Sequence, residues 1–118
     1  MYVGILRLGF QIPGARSLKD RRRVVRSFKD RLQAGMRVSV AEVGDLTSPQ
    51  HATVAVAVVS NEAARCDELL ASAARLAGSL RDAVLADRRT EIVSFSDSCF
   101  GEGGREPGAG AVDYGEEP

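Results

Sequence analysis

The sequence predicts one α+β domain over residues 1–95, with elements in the order strand, helix, strand, strand, helix, strand. Three observations carry that prediction. Apolar residues alternate from Tyr2 to Ile12 with the period of a half-buried strand. Two later segments place apolar residues at helical spacing behind a residue suited to cap a helix. Between those segments lies Val54-Ala55-Val56-Ala57-Val58-Val59, apolar on both faces as a central strand should be.

The first strand, residues 2–12, puts Tyr2, Leu6, Leu8, Phe10 and Ile12 on one face and Val3, Ile5, Arg7 and Gln11 on the other. Pro13-Gly14 ends it in a turn. Ser17 stands where an N-cap belongs, and Asp20 three residues on approximates a capping box and suits the positive end of the helix dipole. A helix follows over 18–34 with the apolar stripe Leu18, Val24, Val25, Phe28 and Leu32, and Gly35 supplies its stop. Strands are expected at 38–43 and 52–60, joined by a loop over 44–51 that holds Gly, Asp, Ser and Pro. Asn61 can cap a second helix carrying Cys66, Leu69, Leu70, Ala73, Leu76 and Leu80, with Gly78 as an early stop. The last strand fits 84–95, its start blurred by the polar run Asp87-Arg88-Arg89-Thr90. This order is the split βαβ arrangement of the ferredoxin-like fold: a four-stranded antiparallel sheet with two helices on one face.

From Ser96 the chain becomes Gly-rich and acidic, with one basic residue against six acidic ones, so residues 96–118 read as a disordered tail. At 118 residues the chain fits one domain that needs no disulfide or metal staple. Trp is absent and aromatics make up 5%, so the core must be aliphatic. Cys66 falls on the buried face of the second helix and Cys99 has no evident partner; this usage suits a reducing compartment. No charged leader followed by an apolar run and no membrane-length apolar stretch is seen, so the expected location is the cytoplasm, away from membranes.

Catalytic groupings are scarce. Ser48, His51 and Asp45 could be assembled on paper into a triad, but no nucleophile-bearing turn accompanies them, and one histidine without nearby cysteines builds no typical zinc site. Gly101-Glu102-Gly103-Gly104 imitates the backbone-clamping loop of KH domains, yet Glu102 would repel a phosphate and no helix follows. No phosphate-cradling Gly-rich loop is found either. The sequence therefore reads as a non-enzymatic binding module with no cofactor and no metal.

Charge points to a surface. Residues 1–37 hold ten basic and two acidic residues, whereas 38–118 hold six basic and fourteen acidic, an asymmetry that suits an anionic partner for the first part. On the first helix Lys19, Arg22, Arg26 and Lys29 form a ridge on one flank, with Arg23 beside it and Arg16 extending it. Only Asp20 and Asp30 are at hand to neutralise it, and the guanidinium fork matches phosphate oxygens. Arg21 is the misfit: it projects toward the apolar side and must snorkel, pair with a carboxylate, or lie where the helix overhangs the sheet. The partner expected of such a ridge is an anionic one that presents phosphate, as RNA does. The alternative is a structural or protein-interaction module that homodimerises through the open, greasy face of the sheet. Base stacking on that face is disfavoured, because HATVAVAVVS supplies no stacking aromatic.

The segments MYVGILRL, IPGARSLKDRRRVVRSFKDRL, VSVAEVG and TVAVAVVSNE together resemble the YlxP-like family of small uncharacterised bacterial proteins (domain of unknown function 503) across residues 2–95. The most specific part is SLKDRRRVVRSFKDRL, which matches that family's opening of the first helix at Ser17, Lys19, Arg21 and Arg22. The resemblance implies a ferredoxin-like fold, no established activity and no catalytic residues. It implies contact with RNA or the ribosome through gene neighbours concerned with transcription elongation, translation initiation and ribosome maturation. Two departures stand out: the 44–51 loop lacks the Trp common in relatives, and the acidic tail lies outside the pattern.

Overall fold

Alternation in the first ten residues produces a strand because each second side chain finds the same buried layer. β1 (Tyr2–Gln11) is followed by α1 (Leu18–Gly35), β2 (Ser39–Val43), β3 (His51–Ser60), α2 (Ala63–Gly78) and β4 (Val84–Ser94). The computed structural model describes residues 1–99. The strands form one antiparallel sheet in the order β2-β3-β1-β4, and both helices cover the same face, as the ferredoxin-like reading expects.

Leu6, Leu8 and Phe10 of β1 and Ala52, Val54, Val56 and Val58 of β3 are buried under the helices. α1 adds Val25, Phe28 and Leu32, and α2 adds Cys66, Leu70, Ala73, Ala74 and Ala77. Phe28 meets Phe10 edge to face, with centroids 5.4 Å apart and planes at 72°, a favoured aromatic geometry. The alanines of α2 and Gly4 of β1 let that helix lie close to the sheet. A Cβ placed on Gly4 would sit 2.8 Å from Leu70 Cδ1 and 3.1 Å from Cys66 Cβ. Cys66 is a fully buried free thiol with Sγ 3.8 Å from the Tyr2 carbonyl oxygen.

Two cap expectations are corrected. Gly35 is not a left-handed stop: it is the last helical residue, and α1 closes when the Met36 N–H donates to the Leu32 carbonyl over 2.8 Å. Asn61 does not cap α2. The cap is Glu62, which supplies no side-chain bond, because Ser60 Oγ accepts the Glu62 N–H and sets the start one residue later. Among the described residues Gly44 alone adopts positive φ, at 77°, in the turn after β2.

β4 forms through the polar run at 87–90. It is an edge strand, and the pairing with β1 shifts between Gly9 and Phe10, leaving Ala86 without a partner in the register. Of the expected tail, only Ser96–Cys99 are described. Asp97 Oδ2 lies 3.2 Å from the Met1 amine, and the Phe95 N–H donates to the Met1 carbonyl over 2.8 Å. The Gly101–Gly104 segment and the rest of the tail lie outside the described residues.

Candidate functional site

The basic ridge starts at a well-built helix terminus. Ser17 Oγ accepts the Asp20 N–H over 3.2 Å, and Asp20 Oδ2 accepts the Arg16 N–H over 3.0 Å. This is the reciprocal geometry of a capping box, with the carboxylate reaching one residue further back than usual. It fixes the path of residues 15–17 and so the place of Arg16 relative to the helix.

Arg16, Lys19, Arg22, Arg23 and Arg26 are exposed and Lys29 is half-buried. Ion pairs among the described residues join Met1 to Asp97, Arg7 to Asp87, Arg21 to Glu42, Arg65 to Glu68 and Arg89 to Glu91. None includes a ridge residue. Asp20 has its carboxylate on a backbone N–H, and Asp30 forms no ion pair among the described residues. The helix carries like charges at i,i+3 and i,i+4 spacing, each such pair costing about 0.2–0.5 kcal/mol. Among the described residues no ion pair offsets that repulsion.

The fold adds shape that periodicity alone does not show. Lys19, Arg22, Arg23, Arg26 and Arg31, with Asp30 among them, line a shallow depression of about 740 Å³ along the helix, so Arg31 joins the surface. Toward β2, Arg22, Arg26, Lys29 and Glu42 line a smaller hollow of about 340 Å³. On the opposite flank Arg16 and Arg23 meet Arg81 from the α2–β4 loop around a third cavity. The six predicted residues thus lie on one continuous surface. Arg31 was hidden by its place at the rim of the helical wheel, and Arg81 by its distance along the chain.

Arg21 does not belong to that surface. It is 1% exposed, its Nη1 donates to the Ser48 carbonyl over 2.8 Å, and its Nε lies 3.2 Å from Glu42 Oε2. The N–H is not aligned on that oxygen, so the contact is an ion pair by distance rather than a hydrogen bond. Of the three options open to Arg21, pairing with a carboxylate is realised, and the side chain fastens the 44–50 loop to α1.

The paper triad does not assemble. Ser48 Oγ and His51 Nδ1 are 3.2 Å apart, but Asp45 Oδ1 accepts from Thr47 Oγ1 over 2.6 Å and from the Thr47 N–H over 2.9 Å, and no bond joins it to His51. The Thr47 hydroxyl and then its N–H hold the Asp45 carboxyl below the usual aspartate range, with Arg21 adding a smaller pull. Because the folded-state pKa is depressed, the stabilisation is present above the unfolded value and is lost as pH falls through the folded one. Thr47→Val removes the hydroxyl and keeps the N–H. NMR titration of the Asp45 carboxyl carbon should then show its midpoint moving up toward the ordinary value of about 3.9. An unmoved midpoint would deny the hydroxyl that role.

Among the described residues no group of three His, Cys, Asp or Glu side chains could hold a metal ion, and no helix is long and apolar enough to cross a membrane. No curated protein matches the chain. The family model described as "Protein of unknown function (DUF503)" matches residues 3–90, from the first strand through most of β4 and including every ridge residue. The chain therefore belongs to the DUF503 family.

Proposed function

We infer that the protein is a non-enzymatic binding module of the cytoplasm that contacts structured RNA, on a ribosomal subunit, through the exposed face of α1. The observation carrying this reading is that Arg16, Lys19, Arg22, Arg23, Arg26 and Lys29 share one surface and none is ion-paired among the described residues. Unneutralised arginines attract phosphate, and their planar fork binds it with two parallel hydrogen bonds. Six such contacts would lose on the order of a thousandfold in affinity between about 50 and about 200 mM salt. Co-sedimentation with purified ribosomal subunits tests this. The wild type should pellet at low salt and be released at moderate salt, and the variant Arg22→Glu/Arg26→Glu/Lys29→Glu should stay in the supernatant throughout. Wild-type protein left in the supernatant at low salt rejects subunit binding.

A second reading rests on the other side of the sheet. The register aligns Val93, Val3 and Val59 in one row across β4, β1 and β3, with Ile5 and Ala57 in the next. Val59 is 65% exposed, and Ile5 and Val93 are exposed as well. On β4 that second row carries Glu91, paired with Arg89, and the next row holds Arg7, paired with Asp87, so the apolar patch ends there. A homodimer would cover the apolar half of this face. Light scattering at micromolar concentration discriminates, and a monomer rejects it.

A further inference from the structure

The cavity beside the N-terminal half of α1 has a lining unlike the ridge. It measures about 790 Å³, within the range of small-molecule pockets. Its accessible apolar lining is Pro13, Val24 and Val84, the last 53% exposed, set over Ile12, Ala15 and Ala83, which are buried. Its rim carries Arg16 from the turn before α1, Arg23 from the helix and Arg81 from the α2–β4 loop, three segments brought together only by the fold. None of these arginines has an ion-pair partner among the described residues. Two carboxylates also line it. Asp20 is occupied by the Arg16 N–H, and Asp82 makes no hydrogen bond or ion pair among the described residues, which leaves it as an acceptor.

We propose that this cavity binds the phosphate ester of a nucleotide. The phosphate lies against Arg16, Arg23 and Arg81, the base covers Pro13 and Val84, and Asp82 accepts from a ribose hydroxyl or an exocyclic amine. Converging guanidinium groups supply charge-assisted hydrogen bonds to phosphate oxygens. Inorganic phosphate alone would leave Pro13 and Val84 in water and Asp82 repelled, so the lining favours an ester with a planar organic group. The same chemistry is offered by a free mononucleotide and by the 5′-phosphorylated end of an RNA chain. The site shares Arg16 and Arg23 with the ridge and differs from it in Arg81 and in the absence of Arg22, Arg26 and Lys29 from its lining.

Calorimetric titration of the full chain with 5′-AMP and 5′-CMP, and anisotropy with a short single-stranded RNA carrying either a 5′-phosphate or a 5′-hydroxyl, test the proposal. Saturable mononucleotide binding, weakened about tenfold by Arg81→Ala through loss of one charge-assisted contact, supports the free nucleotide as ligand. Preference for the 5′-phosphorylated RNA, with the same dependence on Arg81, supports the chain end. Arg81→Lys, which keeps the charge without the fork, should fall between the two, and an unchanged melting temperature shows that both variants fold. Arg65→Ala, on α2 and outside both the cavity and the ridge, should retain the mononucleotide titration. Absence of saturable binding by both nucleotides together with indifference to the 5′-phosphate overturns the proposal, as does binding that Arg81→Ala leaves unchanged.

Discussion

Arg21→Ala is expected to lower the free energy of unfolding by about 3–5 kcal/mol, the cost of breaking a buried ion pair by removing one partner. A domain of this size is stable by only about 5–15 kcal/mol, so the variant should sit near its unfolding threshold. The loss has two sources. Glu42, whose side chain is 22% exposed, keeps its charge without the guanidinium beside it, and the Ser48 carbonyl loses its donor. The loop over 44–50 loses its tie to α1 at the same time. Arg21→Met should cost less than Arg21→Ala, because it refills the stem volume, and Arg21→Met/Glu42→Leu should recover more, since no charge is then stranded. Urea titration of the four proteins measures the series through their midpoints. A cost below about 1 kcal/mol for Arg21→Ala would mean that water already solvates the pair.

Gly4→Val is the second severe change. An added Cβ at Gly4 meets Leu70 Cδ1 at 2.8 Å, Cys66 Cβ at 3.1 Å and Val58 Cγ1 at 3.2 Å. The leucine terminus could rotate, although Leu70 is 1% exposed and has little room. Cys66 Cβ is fixed to the α2 backbone and can move only with the helix. Overpacking of this kind costs about 1–3 kcal/mol, which exceeds the roughly 1 kcal/mol that a strand gains by exchanging glycine for a β-branched residue. Gly4→Ala should therefore fall within that overpacking range and Gly4→Val at or above its top. Leu70→Ala combined with Gly4→Ala should cost less than the sum of the two, because the first opens the space that the second fills. Additive costs, read by the same urea titrations, would show that α2 approaches β1 less closely.

The architecture was legible because its main signals are local. Alternation at Leu6, Leu8 and Phe10 and helical spacing at Val25, Phe28 and Leu32 each report a buried face within a few residues. The caps were less legible. Gly35 has a residue type that often ends helices, yet the last turn closes without a left-handed residue, and Ser60 pre-empts the place assigned to Asn61. Arg21 was recognisable as out of pattern from its angle on the helix, but its partners Glu42 and Ser48 come from later segments that no periodicity connects to it. The same limit governs the candidate site. Spacing revealed a row of cations on α1, whereas the absence of ion pairs and the addition of Arg81 depend on which loops the sheet order brings alongside.

That sheet order also sets a timetable for a chain made from its amino end. β1 lies between β3 and β4, so the first strand to be synthesised is a central one whose neighbours are both encoded later. At translation rates of about 5–20 residues per second, the stretch from Gln11 to His51 takes about 2–8 s to appear, and β4 follows only after α2. For that interval Phe10 can meet Phe28 of α1, but Leu6 and Leu8 wait for α2, the helix that packs along β1, and no strand lies beside them. The edge-to-face pair of Phe10 and Phe28 is thus the earliest tertiary contact open to the first strand, and the rest of its cover arrives with α2.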